Sequence, residues 1–389
     1  MSTTQHTSTK LPLILSEEQQ MIKESARDFL HAKAPVAALR QLRDKQDSQG
    51  FDSELWREMV EMGWPALAVP EAYGGLGFGY TGLGQVLEET GRTLTASPLV
   101  STVLLAATAI QTGGSVSQKS SLLPAIVSGE LLMALAIDET KHHNPAKTTL
   151  SAQQDGDTFV LNGRKTFVLD GHMANQLIVV ARTSGTAGDR GGLSLFLVDA
   201  SSKGLSIERV MMTDSRNAAN ITFDQVSVPA DNLLGDLDQG GELLEKTLDI
   251  ARIGLSAELL GTVLEAFDRT VNYLKERQQF GVPIGSFQAL QHRAAQMFCE
   301  IELCKSVVLK GLHAIDTDDP TLPALASLCK AKLAQVAQLV SNEAVQMYGG
   351  IGMTDDEDIG FFLKRARVAQ HTLGAYPFHL DRLASLSGY

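Results

Sequence analysis

The residues best suited to chemistry in this chain lie in one run, Lys275 to Met297, KERQQFGVPIGSFQALQHRAAQM. Lys275 and Arg277 close a helical pattern, Gly281, Pro283 and Gly285 interrupt it, and Gln288 to Met297 resumes it. A guanidinium is permanently charged and presents a planar fork of donors that matches phosphate oxygens. Beside a glycine turn, backbone N–H groups can approach the same anion. The pattern therefore suits an anion-binding corner. A plainer role is open to the same residues, because Lys and Arg at a helix C-terminus also offset the helix dipole. For Arg277 alone the plainer role is the commoner one. The full string with Phe280, Gly281, Phe287 and Gln288 makes the anion site the better account.

A second glycine-rich element, Gln346 to Thr354 (QMYGGIGMT), follows about 70 residues on. R-x-x-F-G at Arg277–Gly281, F-Q at Phe287–Gln288 and Q-x-x-G-G-x-G at Gln346–Gly352 together resemble the acyl-CoA dehydrogenase family. PEAYGGLG at Pro70–Gly77 and EETGR at Glu88–Arg92 extend the likeness, which covers nearly the whole chain after the first dozen residues. The resemblance implies FAD as cofactor. It places Arg277, Phe280, Gln288, Gln346, Gly349 and Gly350 at the adenine and pyrophosphate end of a neighbouring subunit's FAD, in a homo- or hetero-tetramer. At the flavin ring it is thinner. Where the family has T-E-P-x-x-G-S-D, this chain has DETKHHNP, Asp138–Pro145, and only Glu139 is shared. KTFVLDG at Lys165–Gly171 puts Phe167 at the aromatic position against the ring and Leu169 where a Thr hydroxyl is usual. A leucine offers no hydrogen bond.

The family reaction removes two hydrogens from an acyl-CoA thioester. A carboxylate takes the α-proton, and its pKa is raised by apolar burial. The family supplies that carboxylate at two positions, which fall here on Leu373, before Gly374, and on Ala251, before Arg252. Neither can accept a proton, and no Asp or Glu occurs from Phe361 to Leu380. Asp249 points roughly 160° away from Ala251 on a helix, and Glu258 lies on the same face but ~10 Å along the axis. Asp381 and His371 are the other groups nearby, so the catalytic residue stays unassigned. The ending FFLKRARVAQHTLGAYPFHLDRLA is similar to bacterial chains of the pimeloyl-CoA dehydrogenase small-subunit and steroid side-chain dehydrogenase kind, several of which pair two unlike chains. Three functions stay open. The first is a subunit of a heteromeric FAD-dependent acyl-CoA dehydrogenase with the base on its partner. The second is a homotetrameric flavoenzyme with a relocated base. The third is a non-catalytic paralogue. For the enzymes, the resemblance implies electron-transfer flavoprotein as acceptor and catabolism of a fatty or steroid acyl group.

Three regions must hold these residues, after a polar tail at 1–15. Residues 16–131 read as helical, opening on Ser16 as N-cap with Gln19 at capping-box spacing. Residues 132–238 carry short β-rich runs, with Thr158–Asn162 and Lys165–Leu169 flanking Gly163 as an expected hairpin. Residues 239–389 return to long helical patterns, with Asp316–Pro320 as a solvated acidic turn. The fold class is mainly α with a β middle domain. In family terms that is an N-terminal helical domain, an antiparallel β-barrel and a C-terminal four-helix bundle. A chain of 389 residues exceeds one ordinary core. Its net charge of −12 argues against a nucleic-acid partner. Cys299, Cys304 and Cys329 form no metal spacing and read as small buried hydrophobes. The adjacent His142 and His143 read as loop. No apolar run has the length of a membrane span. The N-terminus resembles neither a signal nor a transit peptide, and a bacterial cytoplasmic protein is expected.

Overall fold

The computed structural model describes residues 13–189 and 191–389. The expected polar tail lies largely outside the described residues. The helical first region contains α1 (Glu17–Lys33), α2 (Val36–Lys45), α3 (Ser53–Glu61), α4 (Gly79–Thr93), α5 (Thr108–Gly113) and α6 (Val116–Val127). Ser16 forms the expected capping box: Gln19 N donates to Ser16 Oγ at 3.2 Å and Ser16 N to Gln19 Oε1 at 3.0 Å. Leu99–Ala107, fully buried, is wound as a π-helix and runs straight into α5.

The middle region is one eight-stranded sheet of β1 (Met133–Ala136), β2 (Ser151–Asp155), β3 (Thr158–Leu169), β4 (Gln176–Arg182), β5 (Leu193–Asp199), β6 (Leu205–Met211), β7 (Asn217–Pro229) and β8 (Leu233–Leu234). Its order is β6-β7-β3-β2-β4-β5-β8, with β1 also on β4. Most pairings are antiparallel, but β1 and β2 run parallel to β4. The hairpin expected around Gly163 does not form. Residues 158–169 are one strand, and Gly163, at φ +143°, sits where the register against β7 shifts. The glycine marks a bulge, the other use of glycine within a strand.

The last region contains α7 (Gly240–Glu276), a short hairpin of β9 (Gln278–Gln279) and β10 (Val282–Pro283), then α8 (Gln288–Asp316), α9 (Leu322–Tyr348), α10 (Ile359–His371) and α11 (Tyr376–Leu386). Helices α7 to α10 form the bundle and α11 packs on α9. From Thr247 to Leu264 every residue of α7 is buried, because α4 covers one side and the bundle the other. The Asp316–Pro320 segment is largely exposed, as expected, but Asp316 has a further role: its carboxylate accepts from Tyr80 N at 2.7 Å and Thr81 N at 2.8 Å, capping the start of α4. One lesser expectation fails. Cys304 and Cys329 are buried, but Cys299 is exposed.

Helices α4 and α7 meet backbone to backbone. A Cβ built on Gly91 would run into the Glu258 carbonyl, and one on Gly261 into the Glu88 carbonyl. Since backbone cannot turn aside as a side chain can, Gly261→Ala should destabilise the chain by about 1–3 kcal/mol. Thermal unfolding followed by circular dichroism checks this, and an unchanged Tm would contradict the close approach.

Candidate active site

A cavity of about 650 Å³ opens between the sheet and the bundle. Its walls come from five segments: the π-helical turn (Leu105), β1 and the chain after it (Leu135, Ile137, Asp138 to Lys141 and His143), the end of β3 (Thr166, Phe167 and Leu169), the β6–β7 turn with β7 (Thr213 and Asn220), and α10 with the turn after it (Arg367, Val368, His371, Thr372 and Leu373). Size and a mainly apolar lining with a few polar groups suit a cofactor or acyl ligand. Phe167 stands at φ +58° beside a second register shift of β3, which turns its ring out of the sheet to 44% exposure.

The structure brings Glu139, Phe167, Leu169, His371 and Leu373 to this cavity. Ala251 is fully buried and lines no part of it, so of the two expected base positions only 373 faces the space. The acids considered as substitutes are committed elsewhere. Asp249 accepts from Arg252 Nη1 at 2.9 Å and Arg382 Nη2 at 2.8 Å, although burial pushes its pKa up. Glu258 pairs with Arg365 and Arg216, each at 2.7 Å; burial opposes its ionisation, but the two arginines hold its pKa below the usual range. Asp381 is exposed. Glu139 lines the cavity but accepts from Lys165 Nζ (2.9 Å), Thr149 N (2.8 Å) and Leu150 N (2.9 Å).

Sequence reasoning missed the cluster beside Leu373. Asp138 holds His143 Nδ1, 3.0 Å from both carboxylate oxygens. His143 Nε2 lies 3.3 Å from Arg252 Nη2, and Arg252 Nε donates to the Leu373 carbonyl at 3.3 Å. A guanidinium only donates, so Nε2 accepts and Nδ1 carries the proton. The one available signal was that the loop departing from the family pattern carries a histidine. Lys330 completes the turn from the other side, donating to the carbonyls of Ala369 (2.7 Å), Gln370 (3.3 Å) and Gly374 (3.4 Å). Burial, with Arg252 and Arg365 nearby, pushes Lys330 down to about 7. His379 Nε2 lies 3.1 Å from the Leu373 carbonyl, and burial lowers its pKa to about 2.

The other sequence-derived residues form a separate place. Arg277, Phe280, Gln288, Gln346, Gly349 and Gly350 are all exposed, and none lines the cavity. They share one end of the bundle, where Tyr273, four residues before Arg277, stacks on Tyr348 with ring centroids 4.1 Å apart. Phe280 (φ +55°) and Gly281 (φ +79°) form the two-residue turn of the β9–β10 hairpin, and Phe280 is 91% exposed. Nothing lies within 4 Å of a Cβ built at Gly349 or Gly350. Among the described residues no group of His, Cys, Asp and Glu could hold a metal ion, and no helix is long and apolar enough to cross a membrane.

Two helical regions flanking a sheet, with a cavity at their junction, make a three-domain fold. The N-terminal, middle and C-terminal domain models of acyl-CoA dehydrogenase match residues 16–130, 138–226 and 238–385. The chain is 32% identical to a probable acyl-CoA dehydrogenase, YngJ, of Bacillus subtilis, over 92% of this chain and 94% of that one. Among solved structures, a single-residue variant of the Tcur3481-Tcur3483 steroid acyl-CoA dehydrogenase is 34% identical with a TM-score of 0.86, over 95% of this chain and 98% of that one. A chain of a structure described as the electron transferring flavoprotein of Acidaminococcus fermentans is 28% identical with a TM-score of 0.90, over 97% and 100%. This chain belongs to the acyl-CoA dehydrogenase family, whose members are FAD-dependent flavoproteins. FAD fits the residues present at the bundle end, where an exposed arginine stands beside backbone open to close approach. At the ring end the cavity has the size, but no hydroxyl stands at position 169, and those of Thr140 and Thr166 donate to the His142 and Asp138 carbonyls.

Asp170, directly after Leu169, carries a further consequence. Its carboxylate accepts from Ser101 Oγ at 2.7 Å, and burial pushes its pKa from 3.8 up to about 6. The folded chain therefore binds this proton more tightly than the unfolded chain. The stability it contributes is full below about pH 4 and is lost as pH rises through about 6. Asp170→Asn removes the penalty and also suits the residue's φ of +52°. The variant should be about 3 kcal/mol more stable than the parent near pH 8, with little gain near pH 4. Denaturant unfolding at the two pH values measures the difference, and a pH-independent effect would exclude this cause.

Proposed function

We propose that this chain is a subunit of a heteromeric FAD-dependent acyl-CoA dehydrogenase, lending its bundle end to the FAD of a related chain that carries the base. One observation supports this above the others. The residues suited to the pyrophosphate are intact and face outward, while the inner cavity presents Leu373 where a proton acceptor is needed. The steroid dehydrogenase neighbour carries a two-chain description, Tcur3481-Tcur3483, which agrees with a pairing of unlike chains. The flavoprotein structure among the neighbours supports electron-transfer flavoprotein as the acceptor.

Bound FAD would take up the hydride leaving the acyl β-carbon. The part of this chain is to bind and position. Arg277 neutralises pyrophosphate charge through a charge-assisted contact. Gly349 and Gly350 let backbone approach the cofactor without a Cβ between them. Gln346 and Gln288 offer amide groups, and Phe280 and Phe287, centroids 6.1 Å apart, offer an apolar edge. Phe167 would lie against a ring bound in this chain's own cavity.

Co-purification with the related chain tests the assignment. A yellow assembly of two unlike chains that reduces its flavin with an acyl-CoA is expected. A yellow homotetramer of this chain alone that does the same would overturn the heteromer. Within the assembly, Arg277→Ala should lower FAD affinity by roughly 10- to 100-fold, the loss of a hydrogen bond to a charged group worth about 1.5–3 kcal/mol. The flavin-to-protein absorbance ratio after gel filtration reports it, and full retention would remove Arg277 from the cofactor site.

A further inference from the structure

The carboxylates on the cavity wall, Asp138 and Glu139, are both satisfied within the chain. Asp138 holds His143 Nδ1 at 3.0 Å, and Glu139 holds Lys165 Nζ at 2.9 Å together with two backbone N–H groups. The cationic side chains on the same wall, Lys141 and Arg367, have no such partners. Among the described residues neither has a carboxylate oxygen within 4.0 Å. Arg367 donates only to neutral oxygens, Asn342 Oδ1 at 2.9 Å and Gln370 Oε1 at 3.4 Å, which orient the guanidinium and leave its charge uncompensated. A ligand entering the cavity therefore meets two unpaired positive charges and no unpaired negative one. In a chain whose net charge is −12, that local excess departs from the composition.

The two cations reach the wall from different elements. Lys141 stands on the loop after β1, and Arg367 on α10. His371 lies one turn beyond Arg367, on the same helix face, and lines the same cavity. Its ring adds an N–H donor to that wall. Phe167, 44% exposed, supplies a broad apolar surface in the same space. A lone carboxylate is matched by one guanidinium fork. Cations on two separate segments beside apolar space instead match an anion whose charge is spread along a linkage and which carries an apolar group at one end. A diphosphate diester has that form, with one negative charge on each phosphorus at neutral pH. FAD and acyl-CoA both join their reactive part to adenosine through such a linkage.

We propose that Lys141 and Arg367, with His371 beside them, form a diphosphate site on this chain's own cavity, so that the chain holds an adenosine diphosphate ester itself as well as serving a neighbour's FAD. This goes beyond the heteromeric assignment, because the three residues belong to this chain in either kind of assembly.

The test removes the charges and keeps the bulk, with Lys141→Gln and Arg367→Gln combined in the assembly as purified. Both side chains are exposed, so the fold should be retained, and an unchanged Tm checks it. The single substitutions give the same readouts should the pair unfold. Flavin is counted per copy of this chain after gel filtration. Desulfo-CoA, which has the diphosphate but no thiol, is titrated by calorimetry. If FAD is the ligand, the double variant loses one flavin per copy of this chain although Arg277 is intact. If CoA is the ligand, flavin content holds and affinity for desulfo-CoA falls by roughly 10- to 100-fold. Either loss should shrink as salt is raised, because salt screens the contact in the parent. Lys141→Arg with Arg367→Lys, which keeps both charges, should retain most of the binding. Parental flavin content together with parental desulfo-CoA affinity in the double variant overturns the site, and so does an equal loss in the variant that keeps the charges. Failure to form an assembly of two unlike chains overturns the heteromer alone, and the same counts on the homotetramer then decide the diphosphate site.

Discussion

Helix α7 has no solvent side from Thr247 to Leu264, and three of the residues on that stretch are charged: Asp249, Arg252 and Glu258. A charge inside a protein costs several kcal/mol to desolvate and is tolerated only with close, well-aligned partners. Asp249 and Arg252 pair with each other on α7 itself, and the remaining partners come from other parts of the chain. Asp249 is met by Arg382 from α11, and Glu258 by Arg365 from α10 and by Arg216 from the turn between β6 and β7. Arg252 is met by the turn after α10 and by the His143 loop. Asp214, on the same sheet turn, completes the set at 2.9 Å from Arg365. The requirement that one buried helix satisfy its charged groups thus ties the β6–β7 turn, α10 and α11 to it through ion pairs, and two loops through neutral acceptors. The cavity lies at their meeting point for that reason.

The same constraint explains how the chain keeps the geometry of a reaction site without the group that reacts. The turn at Leu373 and Gly374 is left-handed at both residues, φ +59° and +111°, an uncommon state for leucine. It is held by its carbonyls. Lys330 takes those of Ala369, Gln370 and Gly374, while Arg252 and His379 converge on that of Leu373. None of these contacts involves the side chain at 373. A carboxylate there could be replaced by leucine and the backbone would still be over-determined, which makes the missing base a local change and not a collapse of the site.

What the sequence revealed and what it hid divide along the range of the interactions. Ser16 and Gln19 are three residues apart and their capping box was legible, as was the turn at Phe280–Gly281, because both depend on neighbours in the chain. Gly163 misled because a glycine between two β-rich runs fits either a hairpin or a bulge, and only pairing with β7, some 60 residues on, decides between them. Asp316 is exposed, as its loop suggested, but its capping of α4 was hidden because its partners, the N–H groups of Tyr80 and Thr81, are 236 and 235 residues away. The family motifs located the outward-facing bundle end, which two short strings define. The cavity draws on five separated segments. The decisive contact there, His143 to Arg252 across 109 residues, has no local pattern.

The bundle end carries costs that nothing inside this chain offsets. Phe280 holds a left-handed backbone, a state that costs a non-glycine residue about 1–3 kcal/mol, and it leaves its ring 91% in solvent. Gly350 has open space where a Cβ would stand, so a side chain there would meet no atom of the fold, and the absence of one has no explanation within it. The Tyr273–Tyr348 stack nonetheless clamps the two segments together, with Tyr273 Oη donating to the Tyr348 carbonyl and Tyr348 Oη to that of Arg269, both at 3.3 Å. A rigid base beneath exposed apolar, cationic and bare-backbone groups is what a preorganised binding surface requires, since ordering these groups only on contact would cost affinity. The exposed state of the bundle end thus has a physical reason of its own: its groups are ordered before any ligand arrives.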